Sequence, residues 1–188
     1  MKKLMFTLAA VACAAGLQAA TINWSSQKTV LCDETGTAIK ALGTGQSVVM
    51  IALDAVTDDW KNGTWTAEKD SVTEYQTGTI ATMGTTIGKV SQNYVFNLAD
   101  KDAPVNGTIL AMVFKDADGS YRQLEYFGGS ALTETATVSG LSDDSKDFTA
   151  NFGSATESKM MPASVPEPTS AMLLLLGIGA MALRRRRA

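Results

Sequence analysis

Asp116, Asp118 and Gly119 have the Asp-x-Asp start of a calcium loop. An EF-hand needs a ligand at the fifth position, glycine at the sixth and a glutamate at the twelfth. Counting from Asp116, glycine stands fourth, Ser120 fifth and Phe127 twelfth. The pattern fails, and a hairpin turn accounts for the same residues. Trp24, Trp60 and Trp65 could stack against sugar rings, with neighbouring Asp and Asn side chains bonding to hydroxyls. Trp60 and Trp65 lie in a loop-like, polar stretch, where binding residues tend to sit. A core or lid tryptophan closing one end of a sandwich is the simpler account. The pairs Asp58/Asp59 and Asp143/Asp144 could be offered as acid–base pairs. Adjacent strand residues point to opposite faces, however, and solvated loop charge explains both pairs.

Histidine is absent from all 188 residues. That excludes Ser–His and Cys–His nucleophilic machinery and the common His-ligated zinc sites, while a carboxylate-only enzyme remains possible. No cofactor or metal is expected, and the chain is read as a non-enzyme.

The elements around these residues read as strands. From Thr21 to about residue 150, threonine, glycine, valine and serine dominate, and Asp-Gly and Asn-Gly pairs punctuate the chain without helical periodicity. Thr21 to Trp24 opens the body as a first strand. Thr29 to Cys32 and Thr37 to Leu42 read as a hairpin through Asp33 to Gly36. Ser47 to Leu53 is a continuous apolar run, suited to a buried central strand. Residues 54–71 read as a loop with one short helix, and 72–89 as strand or irregular chain. Asn93 to Leu98 alternates apolar and polar residues. Thr108 to Phe114 and Tyr121 to Phe127 flank Asp116 to Gly119 as the clearest hairpin. Neither face of its second arm is wholly apolar, which suits a sheet edge. A last strand falls in 131–138 or 148–152. The fold class expected is all-β: one β-sandwich-like domain over residues 21–152, with a small β-barrel as the alternative, plus a C-terminal hydrophobic helix. Gly153 to Ser164, small, polar and proline-flanked, reads as a flexible stalk.

Both ends read as address labels. Met1-Lys2-Lys3 and an apolar run from Leu4 to Leu17 form a secretory signal peptide over residues 1–20, with Ala19 and Ala20 at the cleavage site. Cys13 invites a lipoprotein reading, but the residues before it lack the usual leucine. At the other end, Pro166 and Pro168 hold Val165, Pro166, Glu167 and Pro168 extended. The uncharged run Ala171 to Leu183 follows, then Arg184, Arg185, Arg186 and Arg187. As a helix the run covers only ~20 Å of a hydrocarbon layer ~30 Å thick. It is nevertheless apolar on every face and abuts a basic block, the order of a membrane segment with a positive cytoplasmic flank.

That order of proline motif, apolar helix and basic stop resembles the PEP-CTERM sorting signal of exported Gram-negative proteins. The resemblance implies recognition by an exosortase-type membrane protease, cleavage at or near the motif, a transient stay in the inner membrane after passage through the secretion machinery, and delivery to the cell surface or extracellular matrix, often beside exopolysaccharide. It covers the tail alone and implies nothing about the body. Without the two ends, residues 21–165 hold 10 basic and 18 acidic side chains, a net charge of −8. Such a body argues against nucleic acid. Its length suits one domain, and Cys32 is its only cysteine, read as a buried apolar side chain. The expected role is structural or interactive, with a small carbohydrate-binding module using Trp60 and Trp65 as the main rival and a carboxylate glycosidase a distant third.

Overall fold

The computed structural model describes residues 19–142 and 146–162. In chain order the strands are β1 (Ala19–Ser25), β2 (Thr29–Leu31), β3 (Ser47–Leu53), β4 (Thr66–Ala67), β5 (Glu74–Thr77), β6 (Ser91–Asn97), β7 (Ile109–Lys115), β8 (Tyr121–Arg122), β9 (Leu124–Tyr126), β10 (Thr135–Thr137), β11 (Asp147–Asn151) and β12 (Ser158–Pro162). One short helix, α1 (Asp58–Asn62), lies between β3 and β4. The fold is all-β, with open sheets rather than a closed barrel.

The largest sheet runs β4-β8-β7-β3-β5, and β10 pairs with the stretch of β7 that β8 leaves free. β3 and β7 are its spine, antiparallel over all seven residues from Ser47↔Lys115 to Leu53↔Ile109. Both are apolar without alternation because both faces are covered. Val48, Met50, Leu110, Met112 and Phe114 enter a core shared with the other sheets. Val49, Ile51, Ala111 and Val113 enter a second core, closed by Trp60, Trp65 and Tyr121.

In the second sheet β1 is central, antiparallel to β6 and parallel to β11. Ala20, Ile22 and Trp24 point from it into the first core, and Trp24 meets Phe152 edge to face at 6.2 Å. The third sheet has β12 at its centre, parallel to β2 and antiparallel to β9. Leu31, Leu124 and Met160 bring it onto the same core.

Several expectations are corrected. Strand structure extends beyond the expected body of 21–152 at both ends, since β1 begins at Ala19 and β12 occupies the stretch read as a stalk. The first hairpin shrinks to a single bridge, Cys32↔Ala38. The cause is local: Asp33 Oδ1 accepts the Thr35 and Thr37 amides at 2.9 and 3.0 Å, which curls the chain tightly. The hairpin through Asp116 to Gly119 forms, but its second arm is not one edge strand. β8 sits inside the large sheet between β4 and β7. After Gln123 the chain moves to the third sheet as β9, and it is there that it forms the edge. Residues 131–138 and 148–152 both contribute strands. The C-terminal helix, Cys13 and residues 1–18 of the expected signal peptide lie outside the described residues; its last two, Ala19 and Ala20, open β1, with Ala20 fully buried.

All four tyrosines have phenols pushed up, first by burial in each case. Tyr126, which also donates to Glu134 Oε1 at 2.8 Å, is pushed up to about 12. Lys115 is raised too, chiefly by its 2.7 Å hydrogen bond to Glu74 Oε2. A group raised in the fold stabilises it fully below the unfolded pKa and loses that contribution as pH climbs through the folded one. Above pH ~10 the unfolded phenols give up protons that the folded ones keep, so unfolding is favoured. We expect the urea midpoint to fall steadily from pH ~10 upward, while the absorbance titration of the native phenolates lags that of the unfolded chain. Coincident native and unfolded titrations would refute this.

Candidate functional site

The acidic residues singled out in the sequence are held by their own surroundings. Asp118 Oδ1 accepts the Ser120 amide at 2.9 Å and its hydroxyl at 2.6 Å, and these bonds pull its carboxyl below the usual range. Asp116 forms a two-pronged pair with Arg122, at 2.7 Å from Nε and 3.0 Å from a terminal nitrogen. Asp116 N–H donates to Ser120 O and Gly119 N–H to Asp116 O, closing a hairpin turn in which Gly119 has φ 91°. Both carboxylates therefore serve the turn. Among the described residues no three acidic or cysteine side chains gather as a metal site.

Asp58 and Asp59 open α1, where carboxylates favour the helix start, and Thr57 caps it by accepting the Trp60 amide. Asp58 pairs with Lys61 at 3.1 Å on an exposed surface. Asp143 and Asp144 lie outside the described residues.

Trp60 does not face solvent. It is 0% exposed, its Nε1 donates to Thr133 O at 3.0 Å, and Trp65 meets it edge to face at 5.4 Å. The cause is α1, whose single turn points Trp60 onto the outer face of β3 and β7. The pair lies over the second core; Trp60 has no exposed surface to offer a sugar ring, and Trp65, half-buried, borders the surface. Trp24 is likewise buried, its Nε1 donating to Gln76 at 2.7 Å. Cys32 is a buried free thiol, its pKa raised by burial.

The fold assembles a site that the sequence order hides. Two cavities of about 520 and 500 Å³ adjoin at the start of β12 and share Ser158 and Lys159. Tyr126, Glu134 and the 47% exposed Phe127 line the first. Lys28, Lys89 and Glu157 line the second. Parallel pairing of β2 with β12 sets Ser158 against Thr29, and the Gly88 carbonyl accepts the Leu31 amide. These contacts converge three lysines that the sequence keeps far apart. Gly88 is required there: it has φ 79°, and a Cβ would stand 2.7 Å from Leu31 O. Lys159 Nζ lies 6.0 Å over the Phe127 ring.

The sorting-tail residues Val165, Pro166, Glu167, Pro168 and Arg184 to Arg187 lie outside the described residues. The described chain ends at Pro162, the last residue of the central strand of its sheet. Residues 164–188 match the PEP-CTERM protein-sorting motif. No curated protein and no solved structure matches the chain. The motif, placed directly behind β12, marks an exported protein that is membrane-anchored before an exosortase processes it.

Proposed function

We propose that this protein is a structural or interaction component of the cell surface or extracellular matrix, delivered beside exopolysaccharide, and that its body performs no catalysis. A cleavable signal peptide over residues 1–20 directs it to the secretion machinery. The body is sandwich-like, its sheets packed on one core, and the tail is a temporary handle that the mature protein does not keep.

The position of β12 carries this reading. Its last residue, Pro162, stands two places before the matched segment. Cleavage at Val165 to Pro168 leaves every described strand intact, so the tail works as an address and contributes nothing to the described fold. The handle must be short for the same reason. Eight residues, 163–170, separate Pro162 from the apolar run and reach at most about 28 Å, so the body stays close to the membrane until it is cut free.

Replacing Arg184–Arg187 by alanine, or Pro166→Ala, is expected to leave uncleaved precursor in the membrane fraction, read by immunoblot against the body. The arginines fix the orientation of the apolar segment, and Pro166 keeps the motif extended for a protease cleft. Normal release of both variants would sink the reading of the tail as a handle.

A further inference from the structure

We propose that the joined cavities at the start of β12 bind an acidic polysaccharide, a chain of sugars bearing carboxylates. The proposal rests on the reading of the body as an interaction module and names its partner. Charge is the first argument. The body carries a net −8, yet three of its ten basic side chains, Lys28, Lys89 and Lys159, converge here. Lys61, Lys115 and Arg122 are held by Asp58, Glu74 and Asp116, whereas none of these three lysines is in an ion pair among the described residues. Acidic neighbours exist: Glu157 lines the second cavity, and Asp33, whose carboxyl is lowered first by its hydrogen bonds to Thr35 and Thr37, also feels the charge of Lys159. In the first cavity Glu134 accepts from Tyr126.

Shape is the second argument. The two cavities have Ser158 and Lys159 in common, and side by side they offer a chain more contact than a single small anion could use. The lining also mixes chemistries that an acidic sugar chain combines. Lysines suit carboxylates, the Thr85 and Ser154 hydroxyls suit sugar hydroxyls, and the exposed Phe127 offers an apolar ring to a sugar face. Nucleic acid would meet the same lysines, but without a series of stacking rings for its bases.

The test uses the full-length chain in detergent micelles and titrates it with oligogalacturonate, with the fully methyl-esterified oligomer and with polyphosphate of similar length. Saturable binding of oligogalacturonate alone is expected. Combined Lys28→Gln, Lys89→Gln and Lys159→Gln should weaken it about tenfold or more, and Phe127→Ala by about threefold. A control triple of equal charge change, Lys40→Gln, Lys101→Gln and Lys146→Gln, should shift it less than about twofold. All these substitutions are at solvent-facing or half-exposed side chains, so the fold is retained, and thermal unfolding of each variant checks it. Equal binding of the esterified oligomer or polyphosphate, or equal weakening by the two triples, would overturn the proposal. Tail processing is expected to be unchanged in these variants; an unaltered chain that is released normally but binds no oligogalacturonate would overturn the groove while leaving the sorting reading standing.

Discussion

A chain cut after Gly153 is expected to lose its cooperative fold, while one cut after Pro162 keeps it. The residues between are the ones that composition assigns to a stalk, yet β12 supplies both partners of the third sheet. It pairs with β2 from Ser158↔Thr29 to Met160↔Leu31 and with β9 from Met160↔Tyr126 to Pro162↔Leu124. Cys32 donates to Met160 O at 2.8 Å and Phe127 to Lys159 O at 2.9 Å. Met160 is fully buried, and losing such a side chain costs about 2–5 kcal/mol by itself. The strand's absence also uncovers Leu31 and Leu124, each contributing roughly 1.5–3 kcal/mol when buried. Against a total stability of about 5–15 kcal/mol, that removes most of the margin. Urea unfolding of residues 19–153 and 19–162, followed by tryptophan fluorescence, measures the difference. Equal midpoints would mean that β12 is an ornament on a body complete without it.

The reason β12 escapes a reading of the sequence is physical. Ser158 to Pro162 contains one fully buried side chain and ends in proline, so it has neither alternation nor an apolar run. Its stability comes from partners about 130 residues upstream and about 35 residues back. Pro162 is tolerated because it is the last residue of the strand. β3 and β7 are legible for the opposite reason. Both of their faces are buried, which imposes an unbroken apolar run whatever the rest of the chain does.

The move at Gln123 was illegible because alternation carries through it while the pairing partner changes. Tyr121 belongs to the second core and Leu124 to the first. Gln123 turns between them, fully buried, its amide group donating to Trp60 O and Leu132 O at 2.8 Å each. A polar side chain at that position looks like an edge residue until its two carbonyl partners are seen. The lysine groove follows the same logic. Lys28, Lys89 and Lys159 each look like solvated charge, and it takes the β2–β12 pairing together with the Gly88–Leu31 hydrogen bond to make them neighbours. The tail is the reverse case. A processing enzyme reads it as a linear stretch, so its motif had to be visible in the residues themselves.

Trp60→Ala is expected to destabilise the body by about 3–5 kcal/mol, the usual cost of deleting a buried tryptophan. Beyond the cavity, Thr133 O loses the indole N–H that now reaches it at 3.0 Å, and because Thr133 is an exposed residue this adds only the net worth of an ordinary hydrogen bond, about 0.5–1.5 kcal/mol. Trp65, which meets Trp60 edge to face at 5.4 Å, loses the ring it rests against. Trp60→Phe keeps the six-membered ring and loses the pyrrole portion with its donor, leaving a smaller cavity; its cost should be less than half that of the alanine variant. Trp65→Ala, at a half-buried position, should fall between them. The order Trp60→Ala, then Trp65→Ala, then Trp60→Phe follows from packing alone. A sugar-stacking platform demands the contrary pattern: little change in urea midpoint for Trp60→Ala and a large loss of glycan affinity in the folded variant. Measuring both quantities on the same variants decides between a lid on the second core and a binding surface, and burial of Trp60 requires the first.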